Sequence, residues 1–247
     1  MYSALNFAPL KKGTARLFVS CVTRNFYKET LTNIEEVFHQ LGYSNVIIED
    51  TVCCGWPYNC EGNTMAIASA RGQVNALMSQ SGLDLIFAEN RCYNQYTSPL
   101  QKPIETKAVN TYGTPQMLNF QFNKYFQFNN VEVLLVSSCH QTNFLQKAFK
   151  DTDGLHTSII DFGFCCGACT VNEDDKKSYN ENILEIIRLQ IKGNKKLICI
   201  FDDDFCRNRF QKSIENSSIE NPNQSIELLH WADLIIKYGN KKRISTL

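Results

Sequence analysis

The chain has 247 residues, of which 43% are hydrophobic, and its 25 basic and 25 acidic side chains leave no net charge at neutral pH. This length allows one large domain or two domains of about 120 residues. Balanced charge argues against a nucleic-acid scaffold, which needs a basic face, and no run approaches the roughly 20 apolar residues that span a bilayer.

The predicted elements alternate along the chain. Short apolar runs rich in β-branched and aromatic residues predict buried strands: Ala15–Ser20, Val46–Asp50, Leu83–Ala88, Val131–Val136, Ser158–Ile160 and Lys196–Phe201. Helical spacing of apolar residues predicts helices: Leu31–Leu41, Thr64–Ser79, Thr114–Phe126, Asn182–Ile191 and Leu228–Tyr238. Alternating strands and helices indicate an α/β fold with parallel sheets and right-handed crossovers.

Eight of the eleven cysteines follow the predicted strands and repeat in the same order, offset by 112 to 118 residues. The first set is Cys21, Cys53, Cys54 and Cys92, and the second set is Cys139, Cys165, Cys166 and Cys206. Ligands collect at the carboxyl ends of parallel strands, so we expect the thiols of each set to converge. Four thiolates drawn from three segments suit a metal ion or an iron–sulfur cluster.

The remaining cysteines fall outside this pattern. Cys199 lies inside a predicted strand, and we expect it to pack in the interior. Cys60 and Cys169 each follow a Cys-Cys-Gly turn, so they either lie near a cluster or, as we expect by default, pack in the interior. Met1 to Lys11 lacks the apolar block of a signal peptide, which predicts a cytoplasmic protein with reduced thiols. Zinc is an alternative to an iron–sulfur cluster at either set, since four thiolates also form a closed zinc site. Thiol–disulfide exchange is a third interpretation of the paired cysteines.

The repeated Cys-Cys-Gly, at Cys53–Gly55 and Cys165–Gly167, with its flanking single cysteines, resembles the cysteine-rich CCG-domain family. That family includes the B subunit of heterodisulfide reductase, the E-type subunit of some succinate dehydrogenases, and lactate- and glycolate-utilisation iron–sulfur proteins. The resemblance extends from Leu17 to Tyr238 and includes the closing segment Leu229–Leu234. Together with the repeat it predicts two similar CCG half-domains, residues 1–128 and 129–247, with short parallel sheets related by a pseudo-two-fold.

The chain departs from the family's closing Cys-x-x-Cys in both copies. Glu89 stands at the first cysteine position before Cys92, and Asp203 stands there before Cys206. Such four-cysteine copies look more like the lactate-utilisation branch, and four thiolates suffice for a conventional [4Fe–4S] cluster. Each carboxylate either adds an oxygen ligand or caps a helix, and we expect neither to be an obligatory ligand.

The resemblance implies an electron-transferring iron–sulfur oxidoreductase subunit like heterodisulfide reductase B, with one or two [4Fe–4S] clusters and thiol/disulfide or quinone-linked reduction as its chemistry. The chain has no nucleotide fingerprint, so a flavin or nicotinamide would lie on a partner subunit. The expected partners are therefore flavin- or ferredoxin-type subunits, and any membrane contact would arise through them. The rival hypothesis is a zinc-stabilised assembly module without redox turnover.

The residues beside the sets each have two interpretations. Trp56–Tyr58 either shields a cluster or covers a substrate pocket, and His140 either handles a proton or starts a helix without a ligand role. The arginines either offset the charge of a cluster or bind an anionic substrate: Arg91, Arg207 and Arg209.

Overall fold

The computed structural model describes residues 13–81, 85–97, 111–113, 125–136, 144–149, 151–160, 173–190, 196–216 and 225–242. It confirms the predicted α/β class with short parallel sheets. Among these residues, none of the helices combines the length and the apolar character that a membrane crossing requires.

The first sheet contains four short parallel strands. They are β1 (Thr14–Phe18), β2 (Asn45–Glu49), β3 (Leu85–Phe87) and β4 (Thr111–Gly113), in the spatial order β2-β1-β3-β4. The associated helices are α1 (Cys21–Phe26), α2 (Lys28–Gln40), α3 (Trp56–Cys60), α4 (Thr64–Ser81) and α5 (Asn90–Thr97). The short helices α1, α3 and α5 begin where a cysteine segment leaves a strand, and therefore position the thiols.

The second sheet has the same strand order as the first. It consists of β6 (Val131–Val136), β7 (Leu155–Ile160), β8 (Leu197–Phe201) and β9 (Ile226–His230), all parallel, in the order β7-β6-β8-β9. Its helices are α6 (Phe144–Phe149), α7 (Glu173–Gln190), α8 (Asp204–Glu215) and α9 (Trp231–Tyr238), and the strands β5 (Phe126–Phe128) and β10 (Gly239–Lys241) pair antiparallel beside it. Two sheets with one shared order are compatible with the predicted pseudo-two-fold.

Two predicted helices overlap strands of the structure. The predicted helix Leu228–Tyr238 is wrong in its first turn, because Leu228 and Leu229 pair with β8 as part of β9. The helix begins at Trp231, where the His230 side chain accepts the Ala232 N–H and caps the new turn. The predicted helix Thr114–Phe126 is wrong at its end, since Phe126 belongs to β5, and residues 114–124 lie outside the described part of the chain.

Buried apolar residues from both halves form one continuous cluster. Leu17 and Phe38 from the first half share it with Leu135, Phe149 and Trp231 from the second. The Trp231 indole N–H also donates a 3.2 Å hydrogen bond to the carbonyl oxygen of Ala88, which directly follows β3. The second half therefore helps to position the loop that carries the last cysteine of the first set.

Candidate metal centre

Three neighbouring strands bring the first cysteine set to one edge of the first sheet. Cys21 begins α1 just after β1, Cys53 and Cys54 follow β2, and Cys92 lies in the first turn of α5 after β3. Because β1 lies between β2 and β3 and all three are parallel, their carboxyl ends meet at the same edge.

The four thiols form a continuous series of contacts. Cys53 is hydrogen-bonded to both Cys21 and Cys54, and Cys54 is hydrogen-bonded in turn to Cys92. Cys54 and Cys92 are only 3% and 1% exposed, whereas Cys21 and Cys53 are half-buried. All the described cysteines have free thiols. The structure thus places the four predicted residues of the first set together, with two sulfurs in the interior and two near solvent.

The hydrogen bonds between the thiols make their acidities unequal. Hydrogen bonds from Cys21 and Cys54 lower the pKa of Cys53 against the opposing effect of burial, and the Gly55 N–H, 3.4 Å from the sulfur, and Arg24 act in the same direction. The same hydrogen bonds, together with burial, raise the pKa of Cys21 and of Cys54. Cys53 is therefore the thiol of the set that ionises most readily, and thiolate is the form in which cysteine binds metals.

An apolar shell covers the inner side of the first set. Cys54 and Cys92 pack in a buried cluster with Phe18 and Phe87, and the half-buried Trp56 packs against it. This position agrees with the expected shielding role of the aromatic run. A low-polarity shell around a thiolate site limits water access and influences the reduction potential of whatever metal it holds.

Arg24 joins two of the cysteine segments. Its guanidinium donates to the Ser20 carbonyl oxygen at 3.3 Å and to the Val52 carbonyl oxygen at 2.9 Å, just before Cys21 and Cys53. The positive charge therefore lies beside Cys53, and the two backbone contacts fix the distance between the segments.

Gly55 makes the turn that places Cys53 and Cys54. Its φ of +86° lies in the left-handed region, and a Cβ there would come within 3.3 Å of the Ala70 Cβ on α4. We expect Gly55→Ala to lower the free energy of unfolding by at least the ~1–2 kcal/mol cost of a left-handed L-residue, and to weaken metal binding by moving the turn. Urea denaturation and metal analysis measure both effects.

Gly62→Ala is the matched control, because Gly62 has a similar φ of +70° but open space around its Cβ position. It should show the backbone cost without any loss of metal. Equal metal loss in both variants would contradict a specific role for the turn at Gly55.

Glu89, at the first position of the Cys-x-x-Cys pattern, contacts α1. Its fully buried carboxylate accepts the Ser20 N–H at 2.7 Å and is hydrogen-bonded to the Thr23 hydroxyl. Ser20 is the N-cap of α1 and its own side chain accepts the Thr23 N–H, so Glu89 supplies the partner that a capping box normally takes from its own helix. Burial, reinforced by the Asp204 charge, raises the pKa of Glu89 to about 8.

Glu89→Gln should weaken the pH dependence of the folding stability without removing bound metal. A carboxyl whose folded pKa exceeds its unfolded value binds its proton more tightly when folded, so its contribution destabilises the fold progressively between about pH 5 and pH 8. Glutamine resembles the protonated acid, since its oxygen can accept from Ser20 while its amide group donates to Thr23. We expect metal-free Glu89→Gln to lose less stability over that range than the native chain, as measured by urea denaturation.

Glu89→Ala is the comparison variant, because it leaves the buried Ser20 N–H without its acceptor and should be less stable throughout that pH range. Metal content should be unchanged in both variants. Loss of metal in Glu89→Gln would show instead that the carboxylate is a ligand.

The second cysteine set is only partly within the described residues. Cys139, Cys165 and Cys166 lie outside them, as do Cys169 and His140, so convergence of this set stays a prediction. Cys206 is described, 2% exposed, in the first turn of α8. The Asp203 carboxylate before it accepts the Phe205 N–H at 2.8 Å and is the N-cap of that helix.

Of the extra cysteines, Cys199 is placed as an interior side chain and Cys60 is not. Cys199 is 1% exposed within β8, and burial raises its pKa to about 12. Cys60 ends α3 and is half-buried. The Cys199 position agrees with the interior packing expected from the sequence.

Sequence reasoning missed a buried polar network between the two halves. Asn90 donates to Asp202 at 2.8 Å, and Arg207 contacts Asp204 at 3.1 Å and Asp233 at 2.6 Å. Arg207 also lies 3.7 Å from the centre of the Tyr27 ring. The run of three aspartates after β8 was the available signal, but their partners are distant in sequence.

Asp204 of this network forms a group with Glu89 and His230, in which the ligand atoms lie within 4.8 Å of one another. The Thr23 hydroxyl contacts both carboxylates, with 2.5 Å between its oxygen and Asp204. Burial lowers the pKa of His230 to about 3, so the ring is neutral. Its Nδ1 accepts the Ala232 N–H, which leaves the ring proton on Nε2 and makes that nitrogen a donor rather than a ligand.

A solved structure shares the fold. Described as a hypothetical protein from Helicobacter pylori, it matches with a TM-score of 0.68 and 15% identity over 94% of this chain. The chain spans 50% of that protein's length. A putative transcription repressor of the LacI family from Corynebacterium glutamicum aligns over 87% of this chain and 76% of its own, at 9% identity, with a TM-score of only 0.33. A search of the curated proteins found no match.

A protein-family model described as a cysteine-rich domain, CCG, matches residues 15–97. The matched range contains β1 through α5 and the complete first cysteine set. Such a domain is consistent with metal-binding and iron–sulfur redox modules. Over residues 15–97, about a third of its length, the chain therefore matches the cysteine-rich CCG domain.

Proposed function

We propose that this chain is an iron–sulfur oxidoreductase subunit of heterodisulfide reductase B-like type, which transfers electrons at cysteine-ligated centres. The observation that carries the proposal is the meeting of four free thiols, from three separate segments, at the carboxyl edge of a parallel sheet. Inert interior cysteines do not require this convergence, as Cys199 illustrates within β8, where burial alone raises its pKa.

The donor set of the first site fits a thiolate-ligated group. Cys21, Cys53, Cys54 and Cys92 would hold it, with Cys53 already favoured as thiolate. Arg24 offsets negative charge on one side, and the shell around Phe87 and Trp56 keeps water from the other. An iron–sulfur cluster bound there would supply one-electron transfer. The second set would hold a second centre through Cys139, Cys165, Cys166 and Cys206.

The protein's own groups would place and tune the centre rather than perform the redox chemistry. The half-buried Cys21 and Cys53 form the side nearest to solvent, which is where an electron-transfer partner would have to approach. We propose flavin- or ferredoxin-type subunits as those partners, in the cytoplasm, with thiol/disulfide or quinone-linked reduction as the chemistry of the assembled enzyme.

A structural zinc ion is the second candidate for the first set. Four free thiols from three segments also suit a closed tetrahedral zinc site, and Cys21, Cys53, Cys54 and Cys92 would supply them. Zinc has no redox chemistry, so the chain would then be a zinc-stabilised assembly module without electron transfer.

Anaerobic purification followed by metal and sulfide analysis decides between the two. The proposed function predicts a brown protein with iron and acid-labile sulfide in about equal amounts, and a paramagnetic resonance signal that appears on reduction with dithionite. A colourless protein with stoichiometric zinc and no sulfide would support the zinc module and contradict electron transfer. Metal-free protein that binds neither zinc nor a reconstituted cluster would contradict both.

A further inference from the structure

Arg91 connects the two cysteine sets directly. It precedes Cys92 of the first set, yet its Nη2 lies 3.1 Å from the Cys206 sulfur of the second set. Its Nε forms an ion pair with Asp203, the cap of the helix that carries Cys206. One side chain of the first half therefore contacts both the sulfur and the helix cap of the second.

The guanidinium is held rigidly by aromatic faces. Its central carbon lies 4.9 Å from the centre of the Trp56 ring and 5.2 Å from the centre of the Phe205 ring. Trp56 follows the first Cys-Cys-Gly turn and Phe205 precedes Cys206, so each ring belongs to a different cysteine segment. The Arg91 residue is 2% exposed, and at such a site its interactions with charged groups are little screened.

The chemistry of the contact is a charged donor beside a sulfur. A guanidinium always carries its charge and offers several N–H groups in a fixed plane, so it can bind a carboxylate and a sulfur together. Hydrogen bonds and positive charge at a ligand sulfur stabilise the reduced, more negative state of an iron–sulfur centre. A lysine would supply the charge without the same two-point geometry.

We propose that Arg91 is a positioning residue that fixes the Cys206 sulfur and raises the reduction potential of the centre that Cys206 serves. The proposal rests on the proposed function, since it assumes a redox centre at the second set. Asn90 strengthens the same link, because its hydrogen bond to Asp202 holds the two closing segments against each other. The environment of the second centre is thus partly built by the first half of the chain.

The test is a potentiometric titration followed by paramagnetic resonance, in a Cys54→Ser background that retains only the second centre. Arg91→Gln should make the reduction equilibrium about tenfold less favourable, which is about 59 mV for one electron. Arg91→Lys should give a smaller shift, because it keeps the charge but not the planar fork. It also keeps a cation opposite Asp203, so it provides the measurement if Arg91→Gln fails to fold.

Arg16→Gln is the matched control for the loss of a buried arginine. Arg16 is 5% exposed and is paired with Glu49 and the Leu77 carbonyl. An unchanged potential in Arg91→Gln, or an equal shift in Arg16→Gln, would overturn the inference. If Cys206→Ser leaves the metal content and spectrum intact, no centre exists at Cys206 and the inference also fails. That result would leave the first-set proposal standing, because the first set is tested separately through Cys54.

Discussion

Cys54→Ser should abolish metal binding at the first set, and should remove about half of the total metal if both sets are loaded. Cys54 is hydrogen-bonded to both Cys53 and Cys92, so it is an interior member of the series of thiols. Serine is a hard oxygen donor that stays protonated at neutral pH, and it is a poor substitute for thiolate with zinc or iron–sulfur groups. Metal analysis per chain after anaerobic purification measures the loss.

Cys199→Ser is the matched control for this substitution. Both cysteines are almost fully buried, at 3% and 1% exposure, so both variants place a hydroxyl in the interior. Cys199 packs among apolar side chains such as Phe201 and Phe210. We expect this variant to lose some stability and to keep its metal. Native metal content in Cys54→Ser would show that the first set is not the ligand set.

Trp231→Ala should lower the free energy of unfolding by about 3–5 kcal/mol, the usual cost of removing a large buried aromatic side chain. Trp231 has no exposed surface and packs in the cluster shared by both halves. Its indole N–H is also hydrogen-bonded to the Ala88 carbonyl, so that carbonyl would lose its partner. Urea denaturation followed by circular dichroism and by fluorescence measures the change.

Trp231→Phe separates the two contributions, because it keeps most of the buried volume and loses the N–H. We expect it to cost substantially less than alanine, with about 1 kcal/mol attributable to the hydrogen bond. Both variants should still unfold in one transition by both probes, since the halves share a core. Two separate transitions, with only one of them shifted, would show that the halves fold independently.

The sequence predicted the strands better than the helices around them. The run Val131–Val136 matches β6 in both bounds, because a short apolar segment in a parallel sheet is buried on both faces. The fourth strand β9 was assigned to a helix, because Leu228 and Leu229 continue the apolar pattern of α9. The short helices that begin at the cysteines were missed, since one or two turns give too little periodicity to recognise.

The sequence predicted the sulfur ligands of the candidate site, but not the contacts that surround them. Repeat spacing was enough to group the first set, because strand ends in a parallel sheet converge whatever the intervening sequence. The contact of Arg91 with Cys206 joins residues 115 positions apart, and no local pattern encodes it. The capping role of Glu89 was also invisible, because its partners Ser20 and Thr23 lie on a helix formed much earlier in the chain.

Because Cys21 and Cys53 differ in acidity, it matters for this protein whether metal binding or exposure to an oxidant comes first. A thiolate in contact with a protonated, half-buried thiol is well placed for oxidation by peroxide, through a sulfenic acid that the neighbour converts to a disulfide with release of water. Such a bridge would occupy two of the four sulfurs and block metal insertion. We therefore expect the newly made chain to need its metal, or reducing conditions, before it meets an oxidant.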